Sequence, residues 1–423
     1  MHFAFRSFPS RVLFGEGKSR ELPRLLTPYR KVMVIASDRM RPLTELVRKE
    51  FGSDRIAVFS RIVQHVPQNL VDEAVAVADE FRPDVLLALG GGSAIGLAKA
   101  MAIASGGRDA GKVWPIIAVP TTFSGSEQTD IWGITVSYER TSGGSKTSAG
   151  SITPDESMTP GGSNASSANP ASTGKQTGRS AIVLPELVIY DPALIRDMPA
   201  RLAVTSAMNA MAHLVEAVYA PDGNPLTRGQ ALQGIGFVRK GLSSLADTIS
   251  AGTPDAAMDA RSDATPGEMP GSPSATPEKQ NGFNMAGETA ENLLFGAFLA
   301  GKCMREVSMS LHHKVAHVLG GSFGLDHAVV HAVLLPHVLQ YQWPHLEADI
   351  RRDLQQALGS DPAGELRALA ERAGGPVDLR RSGFREPDIP EAAAAIQVQS
   401  NSKQAQNYGI QAQSNGKQTE NYG

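Results

Sequence analysis

LLALGGGSAIGLAKA, residues 86–100, decides the fold. A short apolar run ends in Gly90, Gly91 and Gly92, and after Ser93 the apolar residues recur at helical spacing. That order reads as strand, tight turn, helix. Glycines in such a turn let backbone amides approach an anion, and the following helix N-terminus supplies about half a positive charge. Gly90, Gly91, Gly92 and Ser93 are therefore the candidate cradle for a dinucleotide pyrophosphate. A plain strand-to-helix turn uses the same residues, so the flanking elements carry the weight of this reading.

Working outward, KVMVIAS (31–37), RIAVFS (55–60) and PIIAVPTT (115–122) read as further strands. VDEAVAVADEF (71–81) and SAIGLAKAMAIAS (93–105) read as helices covering the sheet they form. Strands alternating with helices imply a parallel sheet, so residues 1–195 are expected to be a Rossmann-like α/β dinucleotide-binding domain. After LVIYDPALIRDMP (187–199) long helical patterns take over, as in TSAMNAMAHLVEAVYA (205–220) and ENLLFGAFLAGKCMREVSMS (291–310). Residues 196–395 are expected to be an all-α substrate domain.

Two stretches, 141–173 and 251–288, are rich in Ser, Thr, Pro, Gly and Ala, and read as flexible surface insertions. The tail 396–423 holds two copies of a Gln/Asn-rich repeat and reads as a disordered appendage. With 40 Lys and Arg against 43 Asp and Glu, the chain has no basic excess to suit a nucleic acid. No apolar run approaches a membrane span and the N-terminus lacks a signal-like apolar core, so the expectation is a cytoplasmic protein with a small-molecule ligand. A lone Cys303 excludes an internal disulfide.

The edge where strands of a parallel sheet end is where α/β proteins bind ligands. VPTTFSGSEQTDIWG (119–133) puts Thr121, Thr122, Ser124 and Ser126 there, as candidate partners for phosphate, ribose or a nicotinamide amide. Asp38, just after the first strand, either bonds a ribose hydroxyl, which favours NAD, or caps a helix. Asn209 and His213 share one helix face, as do His313 and His317, and His327 follows across a glycine break. A lone histidine on a helix is more often a core residue than a functional one. The stretch HHKVAHVLGGSFGLDHAVVH (312–331) gathers too many to dismiss.

Together, the glycine motif, PTTFSGSE, NAMAH, GKQTGR (174–179), YDPAL (190–194) and LHHKVAHVLGGSFGLDH resemble the iron-containing (group III) alcohol dehydrogenase superfamily, and within it the maleylacetate reductases. The likeness covers about residues 3–140, 174–246 and 289–395. It implies a dinucleotide-binding α/β domain followed by a helical domain, the dehydroquinate synthase-like fold, and commonly a homodimer. Metal-dependent members hold iron or zinc with an Asp and three His, which fall here on Asn209, His213, His313 and His327. Asn209 replaces the only anionic ligand, so affinity for a dication should drop. The resemblance thus implies NADH-dependent reduction, with NADPH open, of the C=C bond of maleylacetate to 3-oxoadipate without a metal.

A dianionic oxo-acid needs positive charge and proton donors, which histidines able to be cationic or neutral near pH 7 would supply. His317 is assigned as proton donor or enolate stabiliser, and His213, His313, His327 and Asn209 as substrate contacts. Lys175 and Arg179 either add charge or lie in a solvated loop. Glu216 and Tyr219 read as core and helix-face residues. The competing readings are a metal-dependent alcohol or polyol dehydrogenase and a non-catalytic cofactor-binding pseudoenzyme.

Overall fold

The computed structural model describes residues 10–106, 113–139, 171–251 and 284–397. Its first half contains strands β1 (Arg11–Phe14), β2 (Val32–Ala36), β3 (Ile56–Phe59), β4 (Val85–Gly90), β5 (Ile116–Pro120), β6 (Ile131–Glu139), β7 (Ala171–Arg179) and β8 (Leu187–Tyr190). Among them lie helices α1 (Leu22–Leu25), α2 (Arg41–Phe51), α3 (Gln68–Phe81) and α4 (Gly92–Gly106). The helical half comprises α5 (Ala200–Val218), α6 (Pro225–Ala251), α7 (Gly287–Glu306), α8 (Leu311–Ser322), α9 (His327–Gln342), α10 (Ala348–Leu358) and α11 (Pro362–Arg372).

Six strands form one parallel sheet in the order β1-β8-β5-β4-β2-β3, while β6 and β7 pair antiparallel as a separate ribbon. The inner strands β2, β4, β5 and β8 are buried along their whole length because both faces are covered, while the edge strand β1 starts at the exposed Arg11. Met33, Ile35, Leu86, Ala88, Ile116 and Ala118 face α3 and α4. Val32, Val34, Leu87, Leu89, Ile117 and Val119 face α1 and α2. The core on the α3 and α4 side continues without a break into α5, α6 and α7. The two halves therefore share apolar packing, and Gly125, after β5, meets Gly301 of α7 so closely that a Cβ on Gly125 would lie 2.8 Å from the Gly301 Cα.

The stretches read as insertions and tail lie mostly outside the described residues, and their bounds shift where they do not. Residues 171–173 belong to β7, Ala251 ends α6, Gly287 opens α7 and residues 396–397 are still helical. The strand RVLF (11–14), too short for alternation to reveal, is the sheet's edge and pairs with β8.

Candidate active site

Gly90 ends β4 with φ at +154°, a backbone conformation that a side chain rarely adopts, and a Cβ there would meet Ala94 at 2.9 Å. Cβ atoms on Gly91 and Gly92 would press on Thr122 and Ser124, at 2.7 and 3.2 Å. These glycines are thus required by the close approach of the hydroxyl loop as well as by any phosphate, and the loop lies directly beside the turn. The Thr121 N–H donates to the Gly90 carbonyl at 3.0 Å, tying the two strand ends together. Ser93 lies in the first turn of α4.

Asp38 stands beyond the end of β2, the strand next to β4, where Ala36 registers with Leu89. That is the correct edge of the sheet for a ribose, and there Asp38 forms an exposed ion pair with Arg41 at 2.7 Å. Its neighbour Arg39 pairs with Asp197.

Sequence reasoning passed over Lys99. It is fully buried, and its ammonium donates to the carbonyls of Ser126, Thr129 and Ile131 and to the Thr129 hydroxyl, at 2.6 to 3.0 Å. Burial pulls its pKa down to about 7, opposed by Glu127 and Asp130. Four acceptors and no donor around Nζ mark the protonated amine as the form this pocket is built to hold. Lys99 therefore clamps the segment that follows the hydroxyl loop onto α4. No local pattern signals this, because the acceptors are mainly backbone carbonyls from another segment.

Gly96, in the second turn of α4, packs under Val66: a Cβ there would lie 3.1 Å from a Val66 methyl, which would have to give way. His65 and Val66 of the HVP stretch adopt positive φ, and Thr135 bonds both of their carbonyls, through its hydroxyl and its backbone N–H.

The Ser206 hydroxyl accepts the Phe123 N–H at 2.8 Å, docking α5 on the hydroxyl loop. One turn further along α5 comes Asn209 and then His213, both buried. Burial lowers the pKa of His213 to about 4, and nearby His317 adds to the effect. The His213 ring stacks on His313 of α8 with centroids 4.7 Å apart. His317 lies at the exposed side of the cluster, with its ring 6.3 Å from His313 and 6.0 Å from His327. Asn209, His213, His313, His317 and His327 are thus assembled from three helices. Among the described residues, the buried atoms Asn209 Oδ1, His213 Nδ1 and His313 Nε2 have no protein hydrogen-bond partner.

One expectation narrows and another needs correction. Histidines able to be cationic or neutral near pH 7 were expected; burial first, and repulsion among the imidazoles second, push His213, His312, His313 and His331 below the ordinary histidine pKa, towards the neutral form. Glu216 was expected to be a plain core or helix-face residue; it is fully buried against the cluster. Its Oε1 accepts the His312 backbone N–H at 2.8 Å, and Oε2 shares a hydrogen bond with His313 Nδ1. Burial pushes its pKa up to about 7, against those backbone bonds. Tyr219 is buried, as expected.

His312 and His331, to which no role was assigned, form an imidazole chain. His312 Nε2 meets His331 Nδ1 at 2.8 Å, and His331 Nε2 meets His327 Nε2 at 3.0 Å. Their spacing to His327 and His313 was visible in the sequence, but nothing local distinguished them from core histidines.

Arg179 ends β7, opposite Ile131, and pairs with Asp130 at 3.2 Å. Lys175 sits on the same ribbon opposite Thr135. A resident dication fits the site poorly: the donors at the ligand positions are three imidazoles and an amide, with no carboxylate.

The sequence matches the family described as Iron-containing alcohol dehydrogenase over residues 9–157, and its companion, Fe-containing alcohol dehydrogenase family, C-terminal, over residues 277–413. It is 34% identical over 399 residues to the maleylacetate reductase of Pseudomonas sp. (strain P51), covering 94% of this chain and 91% of that protein. The chain belongs to this family, on its maleylacetate reductase branch. Against the maleylacetate reductase of Burkholderia cepacia the identity is 35% over 94% of this chain and 92% of the relative. The crystal structure of maleylacetate reductase from Agrobacterium tumefaciens superposes with a TM-score of 0.71 at 27% identity, covering 94% of this chain and 92% of that one. Members of this family are NAD(P)-dependent oxidoreductases, and the parallel sheet followed by a helical domain is the family's fold.

Proposed function

We propose that this chain is a maleylacetate reductase, acting on a small dianionic oxo-acid without a metal. The observation that carries the reading is Asn209, which puts an amide where metal-dependent relatives have their carboxylate, beside the buried His213 and His313 pair. Removing that anion lowers affinity for a dication and removes repulsion towards a dianion.

When bound, NADH or NADPH supplies the hydride that adds to the alkene, while charge develops on the enolate oxygen and a proton from the enzyme completes 3-oxoadipate. Gly90, Gly91, Gly92 and Ser93 hold the pyrophosphate at the start of α4, with Thr121, Thr122, Ser124 and Ser126 beside them and Asp38 at the ribose. Asn209, His213, His313 and His327 bond the substrate's carboxylates and oxo group. Neutral imidazole N–H groups serve here as preorganised donors to the developing oxyanion. His317, on the exposed side of the cluster, takes the role of proton donor because it can be recharged from solvent. Lys175 and Arg179 are the further candidates for the substrate's carboxylates.

A cytoplasmic homodimer is the setting the family resemblance implies. No helix among the described residues is long and apolar enough to cross a membrane. Purified protein treated with a chelator and mixed with NADH and maleylacetate should consume NADH at an undiminished rate. A rate abolished by the chelator would favour the metal-dependent dehydrogenase, and NADH binding without turnover would favour a pseudoenzyme.

A further inference from the structure

Glu216 lies outside the residues given a role above, yet it is hydrogen-bonded to one of them, His313. It sits on α5 one turn beyond His213 and is fully buried. Its two oxygens are committed to consecutive residues at the start of α8. Oε1 accepts the backbone N–H of His312, and Oε2 is bonded to Nδ1 of His313. The first bond can only anchor a helix end. The second fixes a ring, because an imidazole gripped at Nδ1 cannot turn over, and its Nε2 is then directed away from the gripping group.

In His313 that nitrogen is buried and meets no protein partner among the described residues, and the same holds for Asn209 Oδ1 and for Nδ1 of the stacked His213. A buried carboxyl and imidazole avoid net charge. Where the pair is net neutral, one proton lies between Oε2 and Nδ1 and a second on Nε2. The atom turned towards the site is then a donor, which suits an anionic oxygen.

We propose that Glu216 is a positioning residue for the reduction, fixing His313 so that its Nε2–H is aimed at an anionic oxygen of the substrate. This rests on the maleylacetate reading of the site. It separates the two bonds of Glu216 into a structural one, to the His312 backbone, and a functional one, to His313. In a Glu216→Gln variant the amide oxygen stays with the His312 N–H, whose role cannot change, and the amide NH2 faces Nδ1, so the ring keeps its aim and its Nε2 proton. In Glu216→Ala the ring is released.

The test combines steady-state kinetics, NADH titration and histidine ¹⁵N NMR on the full chain, with Glu216→Ala and Glu216→Gln made both alone and together with His313→Ala. Glu216→Ala should lower kcat/KM for maleylacetate by about 10- to 100-fold, the usual loss when a support of a working histidine is removed. NADH affinity should hold within about twofold. Glu216→Gln should recover most of the loss. With His313 already replaced, Glu216→Ala should cost no more than about twofold further, because coupled residues are not additive. The His313 signal should show the proton on Nε2 in the wild type and in Glu216→Gln, and a mixture of tautomers in Glu216→Ala. Where the alanine variant does not bind NADH, Glu216→Met fills the volume and carries the same expectations. Full additivity with His313→Ala, or a His313 signal unmoved by loss of the carboxylate, overturns the positioning role alone. Wild-type protein with the expected His313 signal and no turnover of maleylacetate overturns the reductase reading, and this role with it.

Discussion

His213 and His313 stack with ring centroids 4.7 Å apart while exposing only 3% and 6% of their surfaces. Two imidazolium ions cannot share such a site, and burial with mutual repulsion holds both rings, together with His312 and His331, below the ordinary histidine pKa of 6.5. Stability follows from this with a definite sign. Where the folded pKa of a base is depressed, the unfolded chain binds more protons, so stability present above about pH 6.5 is lost as the pH falls. His213 contributes down to about 4 and His312 to about 3. Glu216, raised from 4.5 to about 7, and Glu127, raised by burial, have the opposite sign, two groups against the four imidazoles and His337, which is also lowered. The melting temperature should therefore fall between about pH 7.5 and pH 5.5. An unchanged or higher value at the lower pH would contradict neutral burial of the cluster.

Asn209 should decide metal affinity. Asn209→Asp restores an anionic donor beside His213, and zinc or iron retained after dialysis should rise by about tenfold or more. Metal analysis of wild type and variant, purified side by side, checks this. Equal and stoichiometric metal in both would show that the amide is no obstacle.

Replacing His317 with Ala should lower kcat for maleylacetate by about 10² to 10⁴, the range for loss of a positioned acid. NADH affinity should stay near that of the wild type, since His317 lies with the histidines of α8 and α9 and not at the glycine turn. Turnover close to normal would remove His317 from the reaction.

At Gly91, an added methyl would sit 2.7 Å from the Thr122 side chain, which is β-branched and cannot easily withdraw. Gly91→Ala should push the hydroxyl loop off the turn and weaken NADH binding by about tenfold, or ~1.4 kcal/mol. Gly236→Ala is the control, because nothing lies within 4 Å of a Cβ at that position of α6. Equal NADH affinity in both variants would show that the turn does not shape the cofactor site.

The amino-acid sequence by itself determined the parallel sheet, its glycine turn, the helical second half and the pairs Asn209 with His213 and His313 with His317, each from local periodicity or residue types at helical spacing, which act over a few residues. That the two pairs and His327 belong to one site came from the family resemblance. Only the tertiary structure decided that Lys99 clamps the carbonyls of Ser126, Thr129 and Ile131, and that Glu216 reaches 97 residues along the chain to His313. The same holds for the neutrality of the buried imidazoles, which the residue type alone left open. Hydrogen bonds to distant backbone and the dielectric around a side chain arise from which segments pack together, and no spacing along the chain encodes them.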